Sequence, residues 1–149
     1  MRLGCSSRVL SGETIKYTTC PDFPLAITEK MAYNNTMKIL TNALSLNELR
    51  QMAKAGFGDM VKAVVDVEKA LLAVDAELHS DLEALLLDSG SKQKDLWGIN
   101  FYPDLPEGDF IEFDSMINVR PSQGNRSRNV ENEELREKII EICGRKIKA

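Results

Sequence analysis

"MVKAVVDVEKALLAVDAELHSDLEALLLDSG", residues 60–90, decides what kind of fold this 149-residue chain makes. Its residues pull in two directions. Ala, Leu and Glu favour helix by intrinsic propensity, whereas the valines of "VKAVVDV" favour strand. "DSG" at 88–90 is turn chemistry ahead of "DLWGINFY". The stretch reads as strands near 61–67, 70–76 and 82–87, continued by a fourth near 95–102 and a fifth near 110–119. The alternative is one helix over 67–87 in place of the second and third strands.

The flanks are simpler. "PDLPEGD" at 103–109 holds two prolines and a glycine, so the chain turns there. "FIEFDSMINV" at 110–119 then alternates, with Ile111, Phe113, Ser115 and Ile117 on the more apolar side. Upstream, Ser45 and Glu48 form an S-x-x-E capping box that starts a helix over 46–55, and Gly56 stops it. Near the C-terminus Asn132 is placed to cap a helix from Glu133 to about 147. Its acidic first turn and basic last turn suit the helix dipole, and Leu135, Ile139, Ile142 and Cys143 form its apolar stripe. The expectation is one α+β domain over 37–149. It has a mostly antiparallel sheet of about five strands in a meander, packed by an N-terminal and a C-terminal helix.

Residues 1–36 differ from the rest. They are rich in Ser, Thr, Asn and Pro and show no sustained period. Met37 opens "MKILTNALSLNEL", which reads like a natural start, so 1–36 is expected to be a mis-assigned start or a disordered arm. Three cysteines, Cys5, Cys20 and Cys143, form neither an even disulfide set nor a metal motif. They read as reduced thiols of a cytoplasmic protein, and no apolar run approaches a membrane span. Charge is unevenly spread. Residues 59–119 carry 4 basic against 14 acidic side chains, net −10, and residues 120–149 carry 8 against 5, net +3. An acidic body argues against nucleic acid as a partner but permits a local anion site.

Three features carry possible chemistry. His79, the lone histidine, lies in "ELHSD" between Glu77 and Asp81. With Glu77 or Asp66 it forms a candidate acid–base set for an enzyme. With no second histidine and no cysteine pair, no metal site is expected. Asp66 and Glu68 share a face if 61–67 is a strand. The third feature, "RPSQGNRSR" at 120–128, is the most promising. The planar forks of Arg120, Arg126 and Arg128 match phosphate or carboxylate oxygens. Ser122, Gln123, Asn125 and Ser127 add short polar groups, and Gly124 allows close backbone approach. The same loop could instead be held down by its arginines on the acidic body. Its expected partner is a small anionic molecule or nucleotide, or, for an interaction module without catalysis, an acidic protein. The sequence names no cofactor, and the nucleotide, metalloprotease and hydrolase signatures are absent.

Four segments together resemble a family of small uncharacterised prokaryotic proteins, known only as a domain of unknown function. They are Val65-Asp66-x-Glu68, Glu77-Leu78-His79-x-Asp81, Gly90-Ser91-x-Gln93-x-x-Leu96-Trp97-Gly98, and Ile117-Asn118-x-Arg120-Pro121-x-Gln123-x-Asn125-Arg126-Ser127. The resemblance covers about 37–149. Members of that family often carry glycines where this chain has Val74, Asp75 and Ala76. The resemblance implies a compact α+β domain and assigns no reaction.

Overall fold

A computed structural model describes residues 37–149. The expectation for 1–36 concerns residues outside those described. Seven strands and three helices follow along the chain: β1 (Lys38–Ile39), β2 (Leu44–Ser45), α1 (Leu46–Ala55), β3 (Val61–Asp66), β4 (Leu71–Val74), α2 (His79–Asp88), β5 (Leu96–Phe101), β6 (Ile111–Glu112), α3 (Glu133–Lys146) and β7 (Ile147–Lys148). Five strands form an antiparallel sheet in the order β1-β4-β3-β5-β6. β2 and β7 pair in parallel beside it in sequence but in their own two-stranded sheet.

The alternation of β3 builds two cores. Val61, Ala63 and Val65 point to one face with Trp97, Ile99 and Phe101 of β5, where Leu49 and Ala53 of α1 and Ile139, Ile142 and Cys143 of α3 cover them. Val64 points to the other face, where it meets Ala73, Leu96, and Leu82 and Leu86 of α2. Helices on both faces explain why β3 and β5 read as near-continuous apolar runs. The helix starts follow the sequence. Ser45 and Glu48 make both bonds of the capping box on α1, and Asn132 Oδ1 accepts from the Leu135 amide at the head of α3.

The α+β class, the five-stranded antiparallel sheet and the terminal helices agree with expectation, but the five strands are not all those expected. Residues 82–87 are helix, inside α2. Leu82 and Leu86, one helical turn apart, are fully buried, while Leu87 is 40 % exposed, a period of 3.6 and not 2. The edge place left open is taken by β1, beside β4. The strand expected over 110–119 survives only as Ile111–Glu112. Beyond it the Ser115 hydroxyl accepts from the Ile117 amide and the chain winds into a 3₁₀ turn at Met116–Asn118.

The step from β4 to α2 uses a left-handed residue. Asp75 has φ 75°, a conformation that glycine takes most readily and aspartate tolerates. That is the place where the resembling family often carries glycine.

Candidate functional site

The 120–128 loop is a built structure with a scaffold turned inward and a polar rim turned outward. Pro121–Gln123 forms a 3₁₀ turn closed by Gly124 at φ 84°, and the backbones of Arg120 and Asn125 bond across it. Three side chains tie this turn to the sheet. Asn118, fully buried, accepts from Gly98 N–H at 2.8 Å and donates to Gly98 C=O at 3.0 Å and Arg128 C=O at 2.9 Å. Its carboxamide thus replaces a neighbouring strand on the part of the β5 edge that β6 leaves uncovered. The Arg120 guanidinium, 8 % exposed, donates to the carbonyls of Leu96 and Ile117 and lies over the Trp97 ring, 4.7 Å from its centroid. Asn125 donates to the carbonyls of Asn118 and Asn129 and accepts from the Glu131 amide. Burial lowers the Arg120 guanidinium from its ordinary 12.5, with Glu83 and Asp95 opposing, and it stays a cation at neutral pH.

The rim consists of Ser122, Gln123, Arg126, Ser127 and Arg128, all exposed. Arg128 is spent on Asp114, 2.6 Å away. Gln123 reaches the Lys94 carbonyl at 3.3 Å. Among the described residues the Arg126 guanidinium has no ion pair or hydrogen bond. The backbone amides of Arg126 and Ser127 converge at 2.6 and 3.0 Å on one carboxylate oxygen of Glu131. Those two amides, then the Ser127 hydroxyl and the Arg126 charge, hold the Glu131 carboxyl below its ordinary range. Sequence reasoning did not single out Glu131. The available signal was its position, an acid just beyond a loop rich in donors.

Beside the turn runs an open groove of about 400 Å³, between α2 and residues 116–123. Glu83 of α2 enters it, 3.9 Å from the Arg120 guanidinium. One Glu83 oxygen is buried without a hydrogen-bond donor.

The residues expected to form an acid–base set are dispersed. Asp66 lies opposite Leu96 at the end of β3, where its Oδ1 accepts from the amides of Glu68 and Lys69 and shapes the β3–β4 turn. Glu68 is therefore in that turn and not on a strand face. Glu77 and Asp81 are exposed. His79, the first residue of α2, is buried, and its Nε2–H donates to the Ile99 carbonyl at 2.9 Å. Burial pushes the imidazole below its ordinary 6.5 and Lys62 adds to this, while the Ile99 carbonyl, Asn100 and Asp114 oppose. Instead of Asp66 or Glu77, a polar row on β5 and β6 lies near His79. Asn100 Nδ2 and the Tyr102 hydroxyl both donate to Glu112, at 2.8 and 3.3 Å. Asn100, Tyr102 and Glu112 were not predicted from sequence, although their period-2 spacing on neighbouring strands was the sign. Among the described residues no three His, Cys, Asp or Glu side chains group to hold a metal ion. Nor is any described helix long and apolar enough to cross a membrane.

Searches of curated proteins and of solved structures returned no match. The family model described as protein of unknown function DUF5674 matches residues 38–146, which span β1 to the last turn of α3 and include the whole 120–128 loop. The chain belongs to the DUF5674 family.

Proposed function

We propose that the protein is a small cytoplasmic binding module for a phosphoryl-bearing anion, a free phosphate or a nucleotide, taken up by the rim of the 120–128 loop at Arg126 and Ser127. The observation that carries this reading is Glu131: two amides, a hydroxyl and an arginine charge converge on one of its carboxylate oxygens. The loop is organised around an oxyanion, and the rigid scaffold of Asn118, Arg120 and Asn125 keeps its donors in place.

Glu131 also sets which anions compete. It is a monocarboxylate tethered four and five residues away, present at an effective concentration in the millimolar range or above. A free carboxylate gains nothing by displacing it. A phosphoryl group, with nearly two charges and three strong acceptor oxygens, does. The buried free thiol of Cys143 fits a reducing compartment.

The test is a titration of the full chain with inorganic phosphate, read at the Arg126 and Ser127 amide resonances. Glu131→Gln should tighten phosphate binding by about tenfold, and Arg126→Ala in that background should weaken it. Unmoved amides in Glu131→Gln would refute the proposal. The acid–base enzyme centred on His79 and the docking of an acidic protein have no such convergence of groups behind them.

A further inference from the structure

The groove between α2 and residues 116–123 is a second site with different chemistry, and it does not rest on the anion reading. Its polar content is unusual. Arg120 brings a positive charge, yet its N–H groups go to protein acceptors, namely the carbonyls of Leu96 and Ile117 and, at 3.5 Å, the Gln123 side chain. Glu83 brings the matching negative charge, but at 3.9 Å it is outside hydrogen-bonding distance of that guanidinium. The pair is balanced in charge and unbalanced in hydrogen bonds. One Glu83 oxygen is buried with no donor at all, a costly state for a carboxylate.

Those facts select a ligand. A second anion would meet Glu83, and a cation would meet Arg120. A neutral N–H donor meets neither obstacle and supplies what Glu83 lacks. The walls add an apolar demand: Met116 is 66 % exposed and Val119 37 %, with Ile117 and Pro121 beside them. About 400 Å³ lies within the usual range for small-molecule sites, roughly 300–1,000 Å³. The geometry points to a site for a neutral, flat-bodied small molecule bearing an amino or amide N–H donor, such as an amino-substituted heterocycle, with Glu83 as the acceptor that reads the donor and Met116 as the cover for its apolar body.

The experiment uses adenosine and purine riboside, which lacks the 6-amino group, titrated into the full chain labelled at methionine methyls and glutamine amides. Adenosine is expected to move the Met116 methyl and the Gln93 and Gln123 side-chain amides, and to bind about tenfold more tightly than purine riboside. Glu83→Gln, which keeps the shape and removes the charged acceptor, should erase that preference. Met116→Ala, at an exposed position, should weaken both ligands alike, and it keeps the test decisive if Glu83→Gln fails to fold. Inorganic phosphate should leave these resonances in place, so the two sites fail separately. The inference is overturned if adenosine moves none of them, if the two nucleosides bind equally, or if folded Glu83→Gln keeps the preference.

Discussion

Replacing Asn118 by alanine should cost this protein much of its stability, although Asn118 lies in a loop and touches no strand partner of its own. The side chain makes three hydrogen bonds, to both backbone groups of Gly98 and to the Arg128 carbonyl, in a place closed to solvent. Alanine leaves one N–H and two C=O groups without partners. Each orphaned buried group costs about 1–3 kcal/mol, and a water entering the vacated space recovers part of this. The expected loss is about 3–5 kcal/mol, a large share of the roughly 5–15 kcal/mol typical of a domain. Asn118→Asp discriminates further. It keeps an acceptor for the Gly98 amide but turns a buried negative charge toward two carbonyls, so it should be at least as damaging as alanine. Urea denaturation gives the free energies, with Ser122→Ala on the exposed rim as the control, and hydrogen exchange reports on the Gly98 amide. A loss below about 1 kcal/mol with the Gly98 amide still protected would show that the carboxamide does not replace a strand there.

Three further outcomes follow from the same geometry. A Cβ added at Gly98 would sit 2.6 Å from Ser115 Cβ and Oγ, so Gly98→Ala should destabilise by about 1–3 kcal/mol, and Ser115→Gly in the same chain should restore most of it in thermal melts. His79 has its folded-state pKa depressed below 6.5, so its contribution is fully present above 6.5 and is lost as pH falls below that toward the folded value, because the unfolded chain takes the proton first; stability measured across that window should fall, and His79→Gln should flatten this part of the slope. Cys143 is buried with its thiol pushed up to about 12, so mass-mapped alkylation at pH 8 should leave it unlabelled until denaturant unfolds the domain.

Much of the fold could be read in the sequence because local chemistry agreed with tertiary structure. The Ser45–Glu48 box and the Asn132 cap are short-range signals, and the structure uses both. The valines of 61–65 read as strand because two helical layers bury both their faces. Residues 82–87 misled because three consecutive leucines hide the period. Only burial separates Leu82 and Leu86 from the exposed Leu87. The loop was legible in composition but not in direction. Sequence cannot tell that Arg120 and Asn125 turn inward to satisfy carbonyls while Arg126 turns out, nor that an acid after the loop returns to its amides. Asp66 was legible as a carboxylate at a strand end, but its role comes from the turn it caps, a fact carried by the backbone of Glu68 and Lys69.

The edge of β5 has a consequence for how these molecules coexist in solution. β6 covers only Asn100 and Phe101. Farther along, the backbone groups of Gly98 and Leu96 are occupied by the side chains of Asn118 and Arg120. An uncovered strand edge is a template onto which another chain can add a strand, and an apolar strand such as "LWGINF" is a hazardous one to leave open. Here two polar side chains shut that edge, one neutral and one charged, and neither can propagate a ladder. The part of the loop that faces inward therefore acts as a guard against self-association, and variants that release it will be seen first as loss of soluble protein.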